Sequence, residues 1–284
     1  MNLTGTGVWS HELRYGDPGA IAEAVEELES VGYSAAWIPD VGGDVFTSLD
    51  RLLASTSTLT VATGILNIWM HTPADVGAWH RGLDDDRRSR LLLGLGVSHG
   101  PLIDAQPGMS WTRPVATMRA YLDGLDDHGV APDERCLAAL GPRMLELARD
   151  RSLGAHPYLV TPEHTGFARS ILGEDARLLV EQGVVLERDA GPAREIARQA
   201  LEVYCNLPNY VNNWKRLGFS DDDVDSRSDR LVDALVAWGD DDAIAARVRE
   251  HRDAGADHVC IQVLRAAGSG MPLDAWRALA PAVT

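Results

Sequence analysis

Hydrophobic positions along this chain follow two alternating rhythms. Short, nearly continuous apolar runs fall at Thr6–Ser10, Ser34–Pro39, Leu59–Ile65, Arg90–Val97, Arg135–Leu140, Gly154–Val160, Leu178–Glu187 and Asp257–Leu264. Runs of this length without polar alternation are those of strands covered on both faces. Between them lie stretches with helical spacing, such as Pro18–Gly32, where Ala20, Ala24, Val25, Leu28 and Val31 fall on one face after Asp17. Further helices are expected after Pro73, Pro114, Pro142, Pro162 and Pro192, since proline suits a first helical turn.

Eight strands alternating with helices predict an α/β fold, the (β/α)8 TIM barrel, as one domain over residues 1–284. A doubly wound sheet would carry GxGxxG after its first strand, and none is present there. The segment from Asn206 to Arg230 is too long for a plain connection between strands 7 and 8. It reads as an insertion with short helices of its own, of the kind that covers a barrel mouth.

Composition narrows the partners. The formal net charge is -16 and Lys215 is the only lysine, so nucleic acid and acidic membrane surfaces are poor partners. No apolar run is long enough to span a bilayer, and the first residues lack a basic, apolar leader, so a cytoplasmic protein is expected. Cys136, Cys205 and Cys260 are odd in number and widely spaced, which argues against a disulfide framework or a zinc site. The aspartate triplets at 84–86, 221–223 and 240–242 read as helix N-termini, so no metal is expected.

In a barrel the reactive groups gather where strands end. Here those ends are Trp9-Ser10-His11, Trp37-Ile38-Pro39-Asp40, Gly64 to His71, Gly96 to Gly100, Leu140 to Arg143 and Tyr158 to His164. The third is unusual. Apolar bulk continues past Gly64 through Ile65, Leu66, Asn67, Ile68, Trp69 and Met70 before an imidazole at His71. No GxSxG elbow appears. Such a rim suits a flat, partly apolar molecule that carries a phosphate.

The ordered stretches GVWS, AAWIPD with GGDVF, ATGILNIW, LLLGLGVSHGPL, ALGPRMLELARDR, GAHPYLVTPEHT and GADHVCIQVL resemble the luciferase-like flavin monooxygenase superfamily, in particular its actinobacterial branch dependent on coenzyme F420. The resemblance implies a non-proline cis peptide in a bulge at Gly64–Ile65, with Ile65 and Leu66 behind the deazaflavin ring and Asn67 among the cofactor contacts. It also implies linker and phosphate contacts from Gly96, Val97 and Ser98 and from Gly141, Pro142 and Arg143, with Thr161 beside them. A helix N-terminus after Gly141 and the charge of Arg143 suit a phosphate.

One departure from the branch bears on chemistry. Several of its dehydrogenases carry an Asp-His pair after the second strand, whereas here Asp40 is followed by Val41, and His99 stands where some carry an acid after the fourth strand. Asp40 and His99 are therefore the candidate catalytic residues. An imidazole suffices where only a weak acid is needed. Trp9, Trp69, His71, Asn209 and Tyr210 are the candidate substrate contacts. The expected activity is hydride transfer between F420 and a small organic substrate. The alternatives are an FMN-dependent monooxygenase fed by a separate, cofactor-reducing enzyme, and a non-catalytic deazaflavin-binding barrel. A homodimer is expected from the resemblance.

Overall fold

All eight apolar runs become staves of a closed parallel barrel. The computed structural model describes residues 3–266 and 268–284. Its strands are β1 Gly5–Trp9, β2 Ala35–Ile38, β3 Thr60–Thr63, β4 Leu66–Asn67, β5 Leu91–Gly96, β6 Arg135–Leu137, β7 Gly154–Ala155, β8 Arg177–Val185, β9 Val236–Trp238 and β10 His258–Val263. Neighbours run β10-β1-β2-β3-β5-β6-β7-β8, and pairing of β8 with β10 closes the ring. Strands β3 and β4 form one stave, interrupted at Gly64 and Ile65.

Many of the helices begin where a short polar residue accepts orphan amide protons. Asp17, Asp44, Thr72, Thr161 and Asp189 do so for five helices of the barrel's outer ring. The aspartate triplets belong to the same device. Asp84 and Asp240 cap their helices, and Asp221–Asp223 opens the turn behind Ser220. Between helices and strands lies the main core, which includes Leu49, Leu93, Leu122 and Val259.

Inside the ring a smaller cluster of Trp9, Ala35, Trp37, Ala62, Leu92, Cys136, Leu179 and Cys260 fills the barrel, leaving no pore. Two histidines share this interior. His156 stacks on Trp37 at 4.2 Å, and Trp37 Nε1 donates to His258 Nε2 at 3.1 Å. Burial pushes both imidazoles down, to about 4 and about 3, so both are neutral.

The insertion is wider than its sequence suggests. It contains a 3-10 turn, Tyr204–Asn206, and helices Pro208–Arg216, Asp221–Ser226 and Asp229–Leu235, and it leads into β9, which pairs with the end of β8. Tyr210, Trp214, Phe219, Leu231 and Leu235 form an apolar cluster with Leu159 and Val185 from the barrel's C-terminal end. Trp214 Nε1 donates to the Leu159 carbonyl at 3.2 Å, which seats the insertion over the exit of β7. Among the described residues no helix is long and apolar enough to cross a membrane.

Candidate functional site

The interruption between β3 and β4 is a backbone shelf. The Gly64–Ile65 peptide is cis. Trp9 Nε1 donates to the Gly64 carbonyl at 2.9 Å, bracing it from β1. A Cβ on Gly64 would lie 2.3 Å from that Nε1 and 3.1 Å from His156 Nε2, so no side chain fits there. Ile65 packs against the end of β5, where a Cβ on Gly96 would meet its side chain at 2.5 Å. Gly64, Ile65 and Asn67 stay partly exposed, whereas Leu66 is wholly buried in the main core. The expectation that Leu66 backs a ring is therefore corrected. Its side chain faces the helices because adjacent strand residues point to opposite faces.

Beside this shelf the structure brings two expected residues into contact. Asp40 Oδ2 accepts from His71 Nε2 at 2.9 Å and from the Asn67 amide at 3.1 Å. Asp40 Oδ1 is buried without a partner. The hydrogen bond places a proton of His71 on Nε2, toward Asp40, and turns Nδ1 away from it. Phe46 meets the imidazole edge-on at 5.0 Å, and Tyr121 donates to the His71 carbonyl at 3.0 Å. Val41 is 70% exposed and takes no part. The imidazole absent after Asp40 in sequence is thus supplied from the end of β4.

His99 lies elsewhere on the rim. Its Nδ1 donates to Asn209 Oδ1 of the insertion at 3.0 Å, and its ring lies 5.5 Å from Tyr210. Burial lowers its pKa and the Asn209 bond opposes the shift. Ser98, at φ 56, bends the chain after β5. The Val97 carbonyl accepts from both Trp69 and Trp111 at 2.9 Å, so Trp69 walls this turn. Gly141 opens the helix Pro142–Arg151 without a side-chain cap, and Arg143 is exposed and makes no ion pair among the described residues. Those free amides and that charge suit an anion. Thr161 is buried and caps its own helix by accepting from the His164 amide, which corrects its assignment as a ligand contact.

Sequence reasoning missed an aromatic cluster at the centre of the mouth. Trp9 meets Tyr158 at 5.5 Å, Tyr158 meets Tyr204 at 5.5 Å, and Tyr204 meets Tyr210 at 5.1 Å. Tyr158 donates to Gln262 Oε1 at 2.7 Å and accepts from Tyr204 at 3.3 Å. Beneath lies Glu181, fully buried, its Oε2 accepting from the Leu159 amide at 3.0 Å. A depression of about 420 Å³ lined by Asp85, Arg88, Ser89, Asp133 and Glu134 lies before β5 and β6, at the other end of the barrel.

A parallel barrel with polar and aromatic groups gathered at the strands' C-terminal ends defines the class, a TIM barrel with a candidate site at its mouth. Within that class, the luciferase-like monooxygenase family matches residues 2–127, under half of the chain. A protein of Mycobacterium tuberculosis provisionally named a coenzyme F420-dependent oxidoreductase is 28% identical over 103 residues, 36% of this chain and 30% of that protein. The chain thus spans under a third of the length of the curated relatives it matches. The coenzyme F420-dependent tetrahydromethanopterin reductase from Methanopyrus kandleri superposes with a TM-score of 0.72 at 16% identity, covering 99% of this chain and 98% of that one. The oxygenating constituent of 3,6-diketocamphane monooxygenase from Pseudomonas putida, in complex with FMN, gives 0.72 at 14% identity, covering 99% and 97%. At these identities the likeness is one of fold.

Proposed function

We propose that this protein is a coenzyme F420-dependent oxidoreductase that moves a hydride between the deazaflavin and a small organic substrate. The observation that carries the reading is the Asp40–His71 pair, tied through the Asn67 amide to the partly exposed backbone shelf of Gly64, Ile65 and Asn67. Gly64, Ile65 and Asn67 would carry the ring. Gly96, Val97 and Ser98 would hold the linker, and Gly141, Pro142 and Arg143 the phosphate. When bound, the cofactor supplies a ring carbon that gains or loses a hydride. The chain supplies the rest. Asp40 orients His71, whose Nδ1 takes or gives the accompanying proton. Trp9 holds the shelf in place, and the insertion keeps water from the mouth.

The provisional name of the mycobacterial relative and the F420-dependent reductase of like fold support this cofactor. The FMN bound by the camphane monooxygenase supports a second reading, a flavin monooxygenase supplied by a separate reductase. A titration of the purified protein with F420 and with FMN, followed by cofactor fluorescence, separates them. Tight F420 binding with weak FMN binding is expected. Preference for FMN moves the function to the second reading, and binding of neither overturns both.

A further inference from the structure

Glu181 sits where an acid is costly. Along β8 the inward residues are Leu179, Glu181 and Gly183, while Gln182 faces outward and accepts from His251 Nε2 at 2.8 Å. Oε2 of Glu181 is held by the Leu159 amide, and Leu159 adopts a left-handed backbone, φ 52, in making that bond. Oε1 is buried and has no hydrogen-bond partner. The groups whose titration feels Glu181 are Tyr158 from the β7 exit, Tyr204 and Tyr210 from the insertion, and Cys260 from β10. His156, on the same loop as Tyr158, is neutral, and none of the cation–ring contacts among the described residues involves the three tyrosines. Among the described residues no cation enters the causes of the shift at this carboxyl, which are burial and the Leu159 amide. Burial raises it to about 8, so it holds its proton at neutral pH, and since Oε2 already accepts, the proton resides on Oε1.

Oε1 points along β8 toward Gly183. The next inward residue, Gly183, has no side chain, and a Cβ there would stand 3.8 Å from Oε1 in ordinary contact. Above it the Tyr204–Tyr158–Gln262 hydrogen bonds lead outward, and Tyr158 touches Trp9, the residue bracing the Gly64 carbonyl. Tyr158 and Trp9 thus stand between the buried donor and the shelf.

We infer that Glu181 is a hydrogen-bond donor to the substrate, and that the substrate is an uncharged, flat conjugated molecule presenting a carbonyl-type oxygen among Trp9, Tyr158, Tyr204 and Tyr210. The inference rests on the reading of this mouth as the reaction site. Two imidazoles meet these rings, His11 at 4.9 Å from Trp9 and His99 at 5.5 Å from Tyr210, and burial lowers the pKa of both, disfavouring their charged forms. An anion would therefore be desolvated here with no fixed cation among the described residues to meet it, whereas a neutral carbonyl supplies the acceptor that Oε1 lacks.

The test uses the cofactor-free protein, so its failure is separable from failure to bind F420. Infrared difference spectra of the wild type and Glu181→Gln are compared at pH 6.5 and 9.5, with 2-acetylnaphthalene and 2-naphthoate as probes and calorimetry for affinity. The expected result is a protonated-carboxyl band at the lower pH, absent in Glu181→Gln and lost at the higher. The neutral ketone should shift that band and bind roughly tenfold or more tightly than the carboxylate. Its affinity should fall above pH 8 in the wild type and stay level in Glu181→Gln, which keeps a neutral donor. An ionised carboxyl at pH 6.5, a band that the ketone leaves in place, no ketone binding at millimolar concentration, or equal affinity for the two probes would each overturn the proposal.

Discussion

At the scale of single residues the shelf is defined by two glycines that fail differently when given a side chain. A Cβ at Gly64 meets an indole nitrogen that is buried and already bonded to the Gly64 carbonyl, so the obstruction cannot swing aside. Gly64→Ala is expected to lower stability by about 1–3 kcal/mol, as overpacking does, and to abolish cofactor binding. A Cβ at Gly96 meets the flexible end of Ile65 instead. Gly96→Ala should therefore leave the melting temperature nearly unchanged while weakening cofactor binding, because Ile65 is pushed across the shelf. Thermal melts beside cofactor titrations of both variants check this contrast, and equal behaviour in both assays would reject it. The Asp40–His71 bond makes a separate prediction. In the wild type a neutral His71 should show the Nε2–H tautomer by nitrogen chemical shift. In Asp40→Ala, where the acceptor is gone, that preference should disappear.

Elements show why the barrel was legible and much of its site was not. Each stave is an apolar run buried on both faces, and that condition is written locally in the residues. Strands β6 and β7 are shorter than their runs because Ala138–Leu140 and Pro157–Val160 leave the sheet toward the rim, while His156 turns into the barrel. Strand β9 escaped notice because Val236–Trp238 is too brief to stand out beside a helix. The Asp40–His71 pair joins residues 31 positions apart, and no local spacing encodes it. Glu181 did leave a signal, since Glu181-Gln182 interrupts an otherwise apolar run and a buried acid needs a reason. The insertion carries the prediction proper to this scale. Trp214 is fully buried and bonded to the Leu159 carbonyl, so Trp214→Ala should cost about 3–5 kcal/mol. Hydrogen exchange should rise across residues 204–235 and the 157–161 loop more than in β1, β2 and β5. Uniform exchange throughout the chain would show that the insertion and barrel melt as one unit.

For the whole molecule, Glu181 sets a dependence of stability on pH whose sign is fixed by its surroundings. Its folded pKa of about 8 lies above the ordinary 4.5, so between these values the folded chain holds a proton that the unfolded chain has released. The contribution of this group is thus fully present below about 4.5, declines as pH rises, and is lost by about 8, where the accumulated difference reaches up to about 5 kcal/mol. Glu181→Gln removes the titration while its carbonyl can still accept from the Leu159 amide, leaving a neutral donor where the acid had one. The variant should match the wild type near pH 4.5 and become progressively more stable toward pH 8, with no further gain above. Denaturant unfolding at half-unit pH steps measures this directly, and parallel curves for the two proteins would mean that Glu181 is already ionised in the fold. A destabilising acid retained at the centre of the mouth is the pattern expected where function opposes stability. The same substitution that strengthens the barrel should therefore change which ligands it accepts.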